Sequence, residues 1–277
     1  MGSRAALALL LWATPLTSVA TPEANPGSLK RAEMNNVSYA AVTQQAVRPE
    51  DQRLSYGDDP LQFALAWRAS GTTRGRVILV HGGCWLNQYN LDHTRALATA
   101  LSESGFETWS VEYRRAGDPG GGWPGSLQDV VSSLSAILNL PSQSPTVVVG
   151  HSAGGHLALL AAAHIKQPIH TVIGLAAITD MTRYAAGSNS CQQAARVFMG
   201  GSPDEKPDAY REASVRDTVI PTVLLHGDAD TIVPLEQTEV DGAVANIVGD
   251  AGHFDWVHTS TNAYTVLLDT LNRLLDP

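Results

Sequence analysis

The stretch that most constrains this chain is residues 145–165, PTVVVGHSAGGHLALLAAAHI. Its opening β-branched run has the composition of a strand, and no polar residue alternates with the apolar ones. Such a strand is buried on both faces. The run 155–165, GHLALLAAAHI, reads as a helix that is apolar all round and therefore buried as well. Only a short turn of small residues around Ser152 separates the two. A doubly buried strand running straight into a buried helix calls for a mostly parallel central sheet with helices on both faces, an α/β architecture.

The rest of the chain repeats this alternation. Strands are predicted at 61–67, 75–82, 106–113, 145–150, 170–178, 220–227 and 244–249. Helices are predicted at 92–105, with Asp92 as N-cap and Gly105 as C-cap, and at 126–140, 155–165, 234–242 and 260–275. One domain over 51–277 accounts for all of them. Residues 21–50, rich in Pro, Asn, Gln and Ser, read as a loose N-terminal lead-in that carries a sequon at Asn36. The irregular segment 180–219 interrupts the alternation and is expected to form a small cap. The glycine-rich loop 116–125 is expected to be mobile.

The first twenty residues, MGSRAALALLLWATPLTSVA, have one Arg, a short apolar stretch and a small-x-small site at Ser18-Val19-Ala20. They read as a signal peptide cleaved after Ala20, which predicts a secreted or periplasmic protein. No apolar run elsewhere is long enough for a membrane span. The net charge is −9, with only 18 Lys and Arg, so nucleic acid is not an expected partner. In an oxidising compartment the two cysteines, Cys84 and Cys191, could form a disulfide; each could equally be a small buried hydrophobe.

Gly150-His151-Ser152-Ala153-Gly154 fits G-x-S-x-G, and its strand-to-helix setting is the one that exposes a nucleophilic serine above a sheet. A serine hydroxyl needs a base. His253, after the last predicted strand, falls at the carboxyl edge of the sheet where Ser152 lies. His151 flanks the serine and is expected to point away. His156, His164 and His170 are expected to pack or to face solvent. The imidazole in turn needs an anion to fix its tautomer. After the strand 220–227 the loop offers Asp228 and Asp230; Asp230 lies further out and is the expected partner, with Asp228 forming the turn. The chain order Ser, Asp, His agrees with this assignment.

Acyl transfer also needs donors for the oxyanion. The backbone N–H groups of Gly83 and Cys84, in VHGGCW, and of Ala153 are the expected ones. His81 is expected to anchor this loop by hydrogen bonding. Trp85 either lines the substrate pocket or packs in the core. Neither metal-ligand spacing nor a phosphate loop is present, so no metal and no cofactor are expected.

The motifs HGGCW, GHSAGG, HGDADTIVP and AGHFDW together resemble the α/β-hydrolase superfamily, over roughly residues 50–277. HGG-x-W resembles the branch of kynurenine formamidase (arylformamidase) and related carboxylesterases, as does VFMGGSPDEKPDAYREAS at 197–214. The chain departs from that branch at Cys84, a position often aromatic there. The resemblance implies the α/β-hydrolase fold and a small-molecule ester or amide substrate, cleaved through an acyl-enzyme without cofactor. It implies a carboxylesterase first, an arylformamidase as the alternative, and then a non-catalytic binding module on the same fold. No motif sets an oligomeric state.

Overall fold

The computed structural model describes residues 1–2 and 34–275. Apart from Met1 and Gly2, the expected signal segment and the lead-in up to residue 33 lie outside the described residues. Two compact units are distinguished, Met1–Ala32 and Glu33–Pro277, and the second carries the fold.

Eight strands form one sheet: β1 (Gln52–Ser55), β2 (Phe63–Trp67), β3 (Gly75–Val80), β4 (Phe106–Val111), β5 (Thr146–His151), β6 (Thr171–Leu175), β7 (Asp217–Gly227) and β8 (Asp241–Val248). Their order is β1-β2-β4-β3-β5-β6-β7-β8. The β1–β2 and β2–β4 pairings are antiparallel, and all later pairings are parallel. The central strands are apolar throughout because they feed two cores at once. Val147 and Val149 of β5 point into a cluster with Leu97, Leu101, Leu267 and Leu271, while Val148 points into one with Val130, Leu134, Leu157 and Phe198. The first cluster takes its helical residues from α2 (Asp92–Glu103) and α8 (Asn262–Leu275). The second draws on α3 (Gly125–Leu138) and α4 (Ala153–Ala162).

Several features refine or correct the sequence reading. The chain over 234–242 makes only a 3-10 turn at Leu235–Thr238 before entering β8. Thr238 and Val240 disfavour a helix, and Gly242 (φ 80°) lies in the left-handed region. Asp92 is the first residue of α2, and no side chain caps the helix; Gly105, expected to cap its C-terminus, does follow it with φ 94°. The loop 116–125 is tied down: Ala116 N–H bonds the Trp85 carbonyl, Gly122 N–H bonds Ser126 Oγ, and Trp123 N–H bonds the Phe198 carbonyl. Segment 180–219 contains α5 (Met181–Ala185), α6 (Ser190–Met199), α7 (Pro207–Glu212) and the start of β7.

The described part of the lead-in is not loose. It forms the short helix that precedes β1, α1 (Tyr39–Thr43). The buried Asp255 carboxylate accepts the backbone N–H groups of Asn36 and Val37 at 2.8 Å each, and that of Gly252 at 2.8 Å. Farther on, Gln45 donates to the Val257 carbonyl, and the Trp67 indole donates to the Arg48 carbonyl. Polar composition suggested a loop, but these long-range acceptors supply what local propensity lacks. Among the described residues no helix is long and apolar enough to cross a membrane. Replacing Asp255 with Ala strands three donors, so Asp255→Ala should lower the unfolding free energy by about 3 kcal/mol, measured by urea denaturation.

Candidate active site

Ser152 sits between β5 and α4 with φ 56° and ψ −122°, a backbone conformation that non-glycine residues avoid. Neighbours fix it there. Its N–H donates to the Leu175 carbonyl at 2.8 Å, and its carbonyl accepts from His156 N–H at 3.1 Å. Small residues make room for the turn. A Cβ on Gly82 would come within 2.8 Å of the His151 carbonyl and 3.1 Å of Ser152 Cβ, and one on Gly154 would collide with the carbonyls of Val80 and His81.

Asp230 leaves the end of β7, where its Oδ1 accepts the N–H groups of Ile232 (2.8 Å) and Val233 (2.9 Å). Its Oδ2 lies 2.7 Å from Nδ1 of His253. Burial pushes this carboxyl up, but the imidazole of His253 and the two N–H groups outweigh it and hold Asp230 below its ordinary value. It therefore stays ionised at neutral pH. With Nδ1–H donated to Asp230, the tautomer leaves the Nε2 lone pair of His253 for another partner. Asp228 accepts the Asp250 N–H at 2.7 Å, so it braces the loop leading to His253.

Ser152 and His253 line the same cavity, of about 180 Å³, together with Gly83 and Cys84. The backbone N–H groups of Gly83, Cys84 and Ala153 donate no hydrogen bond to another described residue. Tyr39, Tyr89 and Phe254 form an aromatic wall, and Asn189, Ser190 and Cys191 of segment 180–219 complete the lining. Two larger hollows of about 690 Å³ each include neither Ser152 nor His253, although the second shares Ser190 with this cavity. In the first, the Arg76 guanidinium is already taken up by Glu107 and the Ile137 carbonyl. Among the described residues no group of three or more His, Cys, Asp or Glu could hold a metal ion.

Cys84 and Cys191 form a disulfide, which joins the loop after β3 to the start of α6. Trp85 is not part of the cavity wall. It is fully buried, stacks on Phe198 at 4.9 Å, and donates its indole N–H to His156 Nδ1 at 3.2 Å. With φ 59° the backbone turns at this residue, and the ring lies in the core. His156 in turn bonds the Ala213 carbonyl at 2.7 Å, so it does pack, while His164 and His170 are exposed. His81 is buried with Nε2 3.0 Å from the Glu112 carboxylate and its ring stacked on Tyr113.

His151 does not point away from the site. It is buried, its ring centroid is 4.7 Å from that of His253, and its Nε2 bonds the His253 carbonyl at 2.8 Å. The residue sequence reasoning missed altogether is His93, which lines the cavity and bonds His151. A signal existed, since His93 shares the helical stripe of Leu97 and Leu101 and so had to face inward. Tyr39 was hidden inside the segment read as a lead-in.

Residues 68–240 match the family described as BD-FAE. The chain belongs to the BD-FAE family. This BD-FAE protein is similar to esterase LipC of Mycobacterium tuberculosis, at 28% identity over 218 residues covering 67% of this chain and 52% of the relative. It therefore spans about half the length of that relative. Kynurenine formamidase of Meyerozyma guilliermondii is 24% identical over 204 residues, covering 68% of this chain and 77% of the relative. Among solved structures, esterase B from Lactobacillus Rhamnosis superposes with a TM-score of 0.70 at 17% identity, covering 85% of this chain and 88% of that one. A truncated form of a carbohydrate esterase from gut microbiota gives 0.65 at 19%, covering 81% and 96%. These superpositions show that the BD-FAE protein has the α/β-hydrolase fold.

The disulfide bridges a sequence separation of 107 residues. Replacing both cysteines with Ser should lower the stability of the folded chain by about 4 kcal/mol, read as a shift in the denaturation midpoint that added reductant reproduces in the parent protein.

Proposed function

We propose that this BD-FAE protein is a serine hydrolase that cleaves carboxylic esters through an acyl-enzyme, with Ser152, His253 and Asp230 as its catalytic triad. The observation that carries this reading is the 2.7 Å Asp230–His253 hydrogen bond in the wall of the cavity that Ser152 also lines. The similarity to named esterases supports it.

In this mechanism Ser152 Oγ attacks the ester carbonyl carbon while its proton passes to Nε2 of His253. Ionised Asp230 stabilises the resulting imidazolium. The carbonyl π electrons move to oxygen, and the unengaged N–H groups of Gly83, Cys84 and Ala153 receive the negative charge. Collapse of the tetrahedral intermediate breaks the bond to the alcohol oxygen, which takes the proton from His253. Water then repeats the sequence on the acyl-enzyme and releases the acid. A cavity of about 180 Å³ favours short acyl groups, because drug-sized ligands occupy roughly 300 Å³ or more.

The same machinery would cleave an N-formyl amide, and the similarity to a kynurenine formamidase makes that the second reading. Export follows as part of the proposal. A disulfide beside the site suits an oxidising compartment, and residues 1–20 carry the leader pattern.

With p-nitrophenyl acetate, Ser152→Ala should reduce kcat/KM on the order of 10⁴- to 10⁶-fold, and Asp230→Asn about 10⁴-fold. Retention of activity by Ser152→Ala would remove the nucleophile from this mechanism. A panel of acetyl, butyryl and octanoyl esters with N-formylkynurenine separates the readings. Preference for the short esters supports the first, and preference for the formamide supports the second.

A further inference from the structure

We propose that His93 and His151 are a pair of positioning residues that hold the catalytic base in place through its own backbone: His93 donates to His151, and His151 donates to the main-chain carbonyl of His253. The proposal rests on His253 being the base. It adds two residues that act through His253 rather than on the reacting atoms: His151 lies outside the cavity wall, and His93 reaches the base only through His151.

The geometry fixes where every proton sits. A carbonyl oxygen only accepts, so His151 Nε2, 2.8 Å from the His253 carbonyl, must carry a hydrogen. A neutral His151 then presents a lone pair at Nδ1. His93 Nε2 lies 2.8 Å from that atom and must donate to it. This leaves one lone pair over, on His93 Nδ1. That atom is buried and has no hydrogen-bond partner among the described residues, which suits a lone pair rather than an N–H. The chain of donors therefore has one direction, from α2 through the end of β5 to the loop bearing His253.

Both rings must remain neutral for this to work. Burial pushes His93 well below its ordinary value, with the charges of His151, His81 and His253 acting in the same direction. Burial also brings His151 down to about 3, helped by the charge of His253 and His226 and opposed by its hydrogen bond to the His253 carbonyl and by Asp230. The groups facing the pair are thus His253 and Asp230 from the loops at the sheet edge, His226 from the end of β7, His81 just past β3 and Tyr39 of α1 against His93, with Phe254 packed on both rings. A neutral ring 4.7 Å from His253 allows the imidazolium of the base to form without a like charge beside it.

The position of His151 gives the contact its consequence. It immediately precedes the nucleophile in sequence, whereas His253 lies 102 residues further along. A single side-chain hydrogen bond thus ties the backbone that carries the attacking hydroxyl to the backbone that carries its base. Misplacement of a reacting group by about 1 Å can cost on the order of 10²-fold in rate.

The test uses the full chain and p-nitrophenyl acetate. His151→Phe keeps the ring volume and removes the donor; kcat should fall roughly 10- to 100-fold with KM nearly unchanged. His151→Gln, whose amide nitrogen can reach the place of Nε2, should recover most of that loss. Wild-type kcat in a folded His151→Phe protein overturns the proposal. So does a His151→Gln protein that regains thermal stability without regaining kcat, since the role is then structural only. Should His151→Phe fail to fold, ¹⁵N NMR of the histidines in the wild-type protein decides. Both rings should show the neutral Nε2–H tautomer from about pH 5 to 8, and an Nδ1–H tautomer or titration of His151 in that range overturns the assignment. Ser152→Ala and His253→Ala run in parallel. If either stays active, the triad reading has failed; if both are inactive while His151→Phe is fully active, only the positioning role has failed.

Discussion

The left-handed backbone at Ser152 is the constraint on which the rest of the molecule depends. A non-glycine residue held in such a conformation costs on the order of 1–3 kcal/mol and persists only where its surroundings over-determine it. Several neighbours do so. The Ser152 N–H is bonded to β6, Gly154 lies against the carbonyls of Val80 and His81, and Gly82 leaves room for the backbone of residues 151 and 152. The turn thus needs β3, β5, β6 and α4 in fixed register, and that register requires both faces of the central strands to be buried. Hydrophobic burial supplies the free energy, and the strained turn concentrates part of it at one hydroxyl.

Behind the cavity lies a layer of buried polar groups that holds the loops of the site. Its centre is Glu112, just past β4. The carboxylate accepts from His81 Nε2, Arg115 Nη1 and the N–H groups of Leu91 and Tyr113. Burial alone would raise its pKa; His81, Arg115 and the Leu91 N–H hold it below the ordinary value, so the carboxylate stays charged. Glu112 therefore joins the end of β3, the residues after β4 and the start of α2. Arg115 reaches further, pairing with Asp118 and donating to the Tyr89 carbonyl. Tyr89 packs against Gly83, where a side chain would collide with it. The loop carrying Gly83 and Cys84 is held by these charges as well as by its own glycines.

Most of the fold was legible because its signals are local. The doubly apolar run at 147–149 and the helical stripes of α3 and α8 owe their form to burial, and burial leaves a period in the sequence. The motif residues were legible too, and the structure brings Ser152 and His253 to one cavity with Asp230 bonded to His253. What could not be read depends on contacts between distant segments. Residues 34–50 look like a linker because their donors are answered by Asp255, the Val257 carbonyl and Thr99, which lie far away and belong to no motif. Trp85 could face either way, since the backbone turn that sends it into the core is set by the residues around it. His151 was misread for the same reason: its partner is a main-chain carbonyl, and carbonyls leave no trace in sequence. Strand β1 is short and exposed on most positions, so it has no apolar alternation to show.

The cavity walls and the loops that carry His253 and Gly83 are not separate parts. On one side the aromatic wall includes Tyr39, whose helix is held by Asp255, two residues beyond His253. On the other side α6 contributes Cys191, bonded covalently to Cys84 in the loop whose N–H groups are left open. Each wall is therefore fastened to a loop that lines the cavity: residues 34–50 to the loop of His253, and segment 180–219 to the loop of Gly83 and Cys84. Neither wall can move far without displacing the group it is joined to. A cavity built in this way is small and formed without a ligand, so less conformational entropy is lost on binding than if its two walls had to close over the ligand. The residues that shape it lie largely outside the G-x-S-x-G turn, and Tyr39, His253 and Phe254 fall beyond the stretch that matches the family. The stretch that matches the family thus holds the strained turn and most of the cavity wall, and the segments before and after it complete that wall.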